Sequence, residues 1–378
     1  MMKCVSLVFI LTSAMAMANG LVDLNRPVWS MGMGGVAIPF PRDVDMPTVN
    51  AAYLTHVQEV GLELITVNAG GPGLTQIQEL QDLPPLDSFA DLNDYFGRPI
   101  WAGLGQRYTI VLPYFGISGT NNASFYTYVN NPLVPEMYVN YLSDTGIYAS
   151  FGIPGGPGSS FGVTLKRLTR TGGARFIDYA LIDEYIQTED SNVILDEFSD
   201  RGIAYGGDIS YLYRPADQGP IFTVVWRDLG YTTFQRTGGV SSPPSQRENL
   251  ILGLGYDYQM TGIGFRTGLE YRNITTQNMQ LGKKLHMGAE ISLPLIDLRA
   301  GLNQGYSTFG FGLDLWLLRL EAAQYTEELG VYPGQRPDQR IQLAITLDLS
   351  VDANFRVSGR GGGGGGADSR RRKLKQRR

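Results

Sequence analysis

The sequence predicts an all-β chain, a transmembrane antiparallel β-barrel of about 14 strands with an N-terminal plug-like segment. Three observations predict it. Apolar and polar residues alternate with period two over most of the chain after residue 100. The first 18 residues have the form of an export signal. The polar face of the strands carries glycine and charges of both signs, which suits a crowded lumen that neutralises itself. A soluble β-sandwich or propeller would share the period, with its apolar face turned inward. Tyr211, Tyr213, Trp226, Tyr256, Tyr258 and Tyr271 weigh against that alternative. They fall near strand ends on the apolar face, where interfacial girdles of barrels sit.

The composition narrows the chemistry. The 378 residues include one Cys and two His, so a disulfide scaffold, a Cys-based zinc site and a His-based triad are disfavoured. No cofactor and no enzymatic activity is expected. The charge is unevenly placed. Residues 353–378 hold nine Arg or Lys against Asp368, a charge of +8, so the remaining residues carry −13 of the net −5.

Lys3, the apolar run Val5 to Leu11 and the sequence Ala16-Met17-Ala18 read as a secretory signal peptide over 1–18, cleaved before Asn19. Its apolar run is too short to span a bilayer. Cleavage removes Cys4, the sole Cys. Residues 19–100 alternate little and read as a Gly-rich element and plug-like segment. A short helix is expected from Thr48 to Gly61 and weak helix from Thr75 to Asn93. A periplasmic extension is the alternative for this stretch.

The barrel is expected over 101–352. Its clearest strand is the last, where Ile341, Leu343, Ile345, Leu347 and Leu349 alternate with Gln342, Ala344, Thr346 and Asp348. Similar runs cover Phe309 to Leu315, Ile296 to Asn303, Leu285 to Leu293, Ile263 to Tyr271, Leu250 to Tyr258, Phe222 to Arg227, Asp208 to Arg214 and Phe161 to Lys166. Ile147 to Ile153, Met137 to Tyr141, Arg107 to Gly116 and Gly61 to Asn68 complete the set. Ser143-Asp144-Thr145-Gly146 and Met260-Thr261-Gly262 suit short hairpins, and longer polar inserts stand at 170–204, 229–248 and 327–339. Tight turns on one side and longer loops on the other are how outer-membrane barrels are built.

Several segments carry a family resemblance. Ser30-Met31-Gly32-Met33-Gly34-Gly35-Val36-Ala37-Ile38 with Pro41-Arg42-Asp43 resembles the start of mature FadL-type and PorV-type outer-membrane barrels. Val49-Asn50-Ala51-Ala52-Tyr53-Leu54 stands where those proteins have an Asn-Pro-Ala-Gly-Leu turn, with Ala51 replacing the proline and Tyr53 the glycine. Phe161 to Lys166, Gly206 to Arg214, Val224 to Gly230, Gly288-Ala289-Glu290, Leu298 to Asn303 and Tyr325 to Gly330 continue the resemblance, in order, over most of 30–349. It implies a FadL-like transporter or channel for hydrophobic or small solutes in the outer membrane of a Gram-negative bacterium. Met31, Gly32, Met33, Gly34, Gly35, Asp43 and Asn50 would form the plug element. The alternative within the resemblance is a PorV-like scaffold that docks secreted or surface proteins without transport.

The inward charges expected to line the lumen are Asp208, Arg214, Arg227, Asp257, Arg266, Glu270, Arg272, His286, Glu290, Arg299, Asn303, Asp314, Arg319 and Glu321. Because their signs are mixed, most of them are expected to pair across strands. The acid pairs Asp196-Glu197 and Glu327-Glu328 read as solvated loop acids. The expected partners are outer-membrane lipid, with a hydrophobic small molecule or a secreted protein as the ligand. The tail, Gly361 to Gly366 followed by Arg370 to Arg378, reads as a disordered basic appendage over 353–378. It lacks interleaved aromatics, so anionic lipid or an acidic cell-wall polymer is its expected contact and no nucleic acid is expected.

Overall fold

The computed structural model describes residues 26–351 apart from 82–93, 131–135, 189, 191, 278 and 316. The expected signal peptide, Pro84-Pro85 and the basic tail lie outside the described residues. Strands β1 (Val60–Pro72), β2 (Ile100–Leu112), β3 (Phe115–Asn130), β4 (Glu136–Gly156), β5 (Ser159–Ile177), β6 (Arg201–Tyr213) and β7 (Gly219–Arg227) lead up to a short β8 (Gln235–Gly238). They are followed by β9 (Asn249–Met260), β10 (Ile263–Tyr271), β11 (Leu285–Ser292), β12 (Ile296–Asn303), β13 (Tyr306–Leu315), β14 (Leu318–Glu328) and β15 (Pro337–Val351).

All pairings are antiparallel between neighbours. β15 returns to pair with β1, from Val60 opposite Val351 to Pro72 opposite Arg340, and this closes the sheet. β8 pairs only with the start of β6, so the other fourteen strands form the ring. Closure leaves no unpaired sheet edge, which is what a strand-built wall needs in a medium without water. The outer surface matches such a medium. Leu254, Leu298, Phe309 and Leu343 point outward at 48–61% exposure, while their strand neighbours Glu270, Glu290 and Arg299 are buried on the inner face. The polarity is that of a membrane barrel, inverted relative to a soluble sandwich.

One rim carries short connections, as between β9 and β10 at Thr261-Gly262, where Gly262 adopts a left-handed φ of 83°. The opposite rim carries the long ones, including a helix at Leu74–Gln81 and another at Tyr179–Thr188. At that rim Asp200 accepts hydrogen bonds from the backbones of Val240 and Ser241 (both 2.7 Å) and pairs with Arg175. Burial raises its carboxyl, but the bonds from Ser241 and Val240 and the nearby guanidinium outweigh burial and hold it down at about 2.

The structure corrects the sequence reading in four places. First, β1 begins at Val60, so the barrel takes in a strand that the boundary at 101 leaves outside. Its hydrogen bonds to both β2 and β15 are what close the wall. Second, Ser143 to Gly146 is no hairpin. It lies in the middle of β4, because Asp144 turns inward to a two-pronged ion pair with Arg170 (2.7 and 2.6 Å). The true turn follows Gly156, with Gly158 at φ 72°. Third, the helix expected from Thr48 is broken into a turn at Met46–Val49 and a 3-10 turn at Ala51–His56. Asn50 between them is extended, and its side chain accepts the Ala52 N–H. Fourth, Glu327 and Glu328 end β14 instead of lying in a loop.

If the outer face lies in lipid, Leu254→Arg at mid-strand should lower the unfolding free energy in bilayers by about 2–4 kcal/mol. Urea titration in vesicles measures this. A near-neutral effect is the result for a water-facing Leu.

Candidate functional site

The lumen is filled by residues 27–56, which enter near the long-loop rim and leave at Val57 near the short-turn rim. Short helical turns at Val28–Gly32, Asp43–Asp45, Met46–Val49 and Ala51–His56 satisfy part of this strap's backbone from within, and the wall must satisfy groups that they leave over. The wall provides for it residue by residue. Thr308 Oγ1 accepts from Gly34 N–H (2.9 Å) and donates to Gly32 C=O (3.0 Å). Glu270 accepts from the N–H groups of Ala37 and Ile38, the second at 2.7 Å. Arg272 donates to Gly35 C=O, and His286 Nδ1 lies 3.0 Å from Gly34 C=O. Lower down, Asn50 Nδ2 donates to Ile38 C=O (3.0 Å) and Thr223 Oγ1 (2.7 Å). Ser210 Oγ accepts from Ala52 N–H (3.0 Å), and Ser150 Oγ donates to Pro47 C=O (2.7 Å).

These bonds need backbone to approach backbone, and glycine makes the room. Gly255, Gly268, Gly288 and Gly301 stand directly opposite one another on β9 to β12 and form a row across four strands. A Cβ on Gly288 would lie 2.2 Å from Met33 O, and one on Gly301 2.5 Å from Gly34 N. Gly32 of the strap meets Gly310 of β13 in the same way, at 2.6 Å. Gly34 and Gly35 also take left-handed φ values of 68° and 89°, so the Gly-rich motif serves both as a turn and as a contact. Met31 packs with Val28, Ala323, Tyr325 and Ala344, and Met33 with Trp29, Val36 and Ile38.

The expected lumen residues fall into separate networks. Glu290, Arg299 and Asp297 join at 2.6 and 2.8 Å, and Arg42 of the strap reaches Glu321 and Asp297 (3.3 Å). Arg266 bridges Asp257 (3.5 Å) and Glu290 (3.4 Å), while Arg214 reaches Asp257 (3.4 Å) from just past the end of β6. Glu270 pairs with Arg272 (2.7 Å). Asp208 holds Lys166 (2.7 Å), and Asp228 joins them (2.9 Å). Arg319 lies between Asp314 (3.8 Å) and Asp348 (3.5 Å) near the short-turn rim. Asn303 bonds the backbone of Thr326 (2.6 Å), and Arg227 ends β7. Of the residues expected in a plug, Asp43 is exposed at the start of a 3-10 turn whose Val44 and Asp45 are buried, away from the row of glycines that seats Gly34.

Sequence reasoning missed several pairs that join the N-terminal segment to the wall. Asp45 accepts from Trp29 Nε1 (2.8 Å) and pairs with Arg107 (2.6 Å), which also grips Glu63 (2.8 Å). Arg26 pairs with Glu327 (2.7 Å). Arg107 and Glu63 stand in strands already identified, and the same alternation marks Arg107 as inward. Glu63 needs more, because a bulge at Leu64 sets both Glu63 and Thr66 on the inner face. Chemically, the arrangement neutralises charge and holds a chain segment. The acids lie against guanidinium and ammonium groups, as in a permeation lining or a seal and unlike an acid/base pair.

No protein-family model and no curated protein matches the sequence. Solved structures match the fold. One is CymD, a monoaromatic hydrocarbon channel, with a TM-score of 0.53, 10% identity, and coverage of 86% of this chain and 97% of that one. Another is a deltaS2 mutant of TodX, also a monoaromatic hydrocarbon channel, with a TM-score of 0.51, 12% identity, and coverage of 87% and 99%. The chain has the barrel fold of these two structures.

Glu270 is a buried wall residue that accepts from two strap N–H groups. Glu270→Ala should cost about 3–5 kcal/mol, since it leaves buried Arg272 without its counter-charge and two strap N–H groups without an acceptor. The midpoint of heat-modifiable gel migration reads the loss, with Glu270→Gln intermediate.

Proposed function

We propose that the protein is an outer-membrane channel for small molecules, closed at rest by the strap acting as a plug. The observation that carries this reading is a lumen filled, among the described residues, by a chain segment held by hydrogen bonds, ion pairs and apolar packing rather than by strand pairing. Such a segment shifts without unfolding the wall, and the wall is independently closed by its ladder. Transport then needs no chemistry, only displacement of the strap and passage between it and the wall. The fold shared with two hydrocarbon channels supports this reading, and hydrophobic or small solutes are the first class to test. A cleaved leader accounts for export, and the apolar outer face accounts for residence in lipid. The docking-scaffold alternative draws no support from these neighbours and is set aside.

The test uses proteoliposomes with a lipopolysaccharide outer leaflet. Wild-type protein should admit labelled small solutes faster than empty vesicles. Gly301→Val, which drives a side chain into Gly34, should raise ionic conductance by about tenfold or more through loss of the strap's seat. Absence of flux and conductance from both proteins removes the channel reading.

A further inference from the structure

The strap does not touch the lumen wall evenly. On β11 to β13 it lies backbone against backbone at Gly288, Gly301 and Gly310, and on β9 and β10 the side chains of Val36, Pro39 and Phe40 pack on Gly268 and Gly255. On the arc of β14, β15, β1, β2 and β3 the contacts run through long side chains. A cavity of about 40 Å³ stays open there between the strap and the wall. That is room for about three water molecules. The wall of this cavity is hydrogen-bonding throughout its middle, with Thr66, Asn68, Thr120, Asn122 and Thr346 facing in. Thr120 Oγ1 is buried among them.

The charges around the cavity nearly balance: Arg26, Arg42, Arg107 and Arg319 face Asp45, Glu63 and Glu321, with Arg107 between Glu63 and Asp45 and Arg42 on Glu321. A site of this kind has little field to select an ion of one sign, and it has many donors and acceptors. A hydrocarbon entering it displaces water from amide, hydroxyl and charged groups and returns no hydrogen bonds, which costs free energy. A small molecule with its own donors and acceptors replaces the water bond for bond.

We infer that the solute path runs along this polar arc, past Thr120 and Asn122, and takes small neutral or zwitterionic hydrogen-bonding solutes in preference to hydrocarbons. This deepens the channel reading and rests on it. The path opens when the turn Arg42 to Asp45 moves off the arc. That turn is held by side-chain ion pairs, so it yields before the segment seated on glycine does.

Proteoliposomes with a lipopolysaccharide outer leaflet are loaded with wild-type protein or with the double variant Thr120→Val, Asn122→Leu, which keeps volume and removes hydrogen-bonding groups. Entry of arabinose, glycine and labelled toluene is measured in each. The expected result is entry of arabinose and glycine through wild type, falling about tenfold in the variant, the scale of one or two lost hydrogen bonds. Toluene entry with arabinose and glycine excluded overturns the inference and leaves the channel reading standing. Exclusion of all three overturns both. Equal arabinose entry in wild type and variant also overturns the inference. If the double variant lacks the gel shift of a folded barrel, Asn122→Ser takes its place. By widening the arc it should raise arabinose entry, and an unchanged or lower rate counts against the path.

Discussion

The interior of this barrel depends on one constraint: residues 27–56 run enclosed, and the backbone polar groups that their short helical turns leave over must find partners. Thr308, Glu270, Arg272, Ser210 and Ser150 of the wall, with Asn50 of the strap itself, are the answers to that demand. The inward glycines are its geometric counterpart, since a side chain at Gly288 or Gly301 would keep the strap beyond hydrogen-bond reach. The charged lining follows as well. Glu270 buried at 0% exposure needs Arg272 beside it, and Asp45 inside the barrel needs Arg107.

The outer face obeys a separate rule, and together the two rules explain the odd composition. Apolar side chains face lipid on every other residue, while the alternate residues include glycine, where the strap lies closest, and polar or charged groups that bond the strap or one another. Two arcs result. One is a dry seat of backbone on glycine. The other is a polar wall with room for water, and the second offers a route that leaves in place the hydrogen bonds of the strap's glycine-seated segment.

Much of this was legible in the sequence. Period-two alternation identified the strands because barrel faces differ sharply in polarity, and the Gly-rich motif at Met31 to Gly35 marked the strap. Ser143-Asp144-Thr145-Gly146 misled for a physical reason. Turn residues and lumen residues draw on the same small and polar set, and only the partner Arg170, far along the chain, tells them apart. Glu63 escaped because a bulge breaks the alternation on which the reading relied. The glycines were read as a crowded inner face, yet their alignment across β9 to β12 depends on register, which no single strand encodes. The ion pairs between strap and wall lie beyond local pattern for the same reason.

Hydrogen exchange followed by mass spectrometry on the folded protein tests the central claim most directly, because amides exchange at rates set by the local opening free energy. If the wall satisfies the strap, peptides covering Gly34 to Ile38 exchange as slowly as those from β10 and β11. Exchange of those peptides at the rate of an exposed loop, with the strands still protected, would contradict the account.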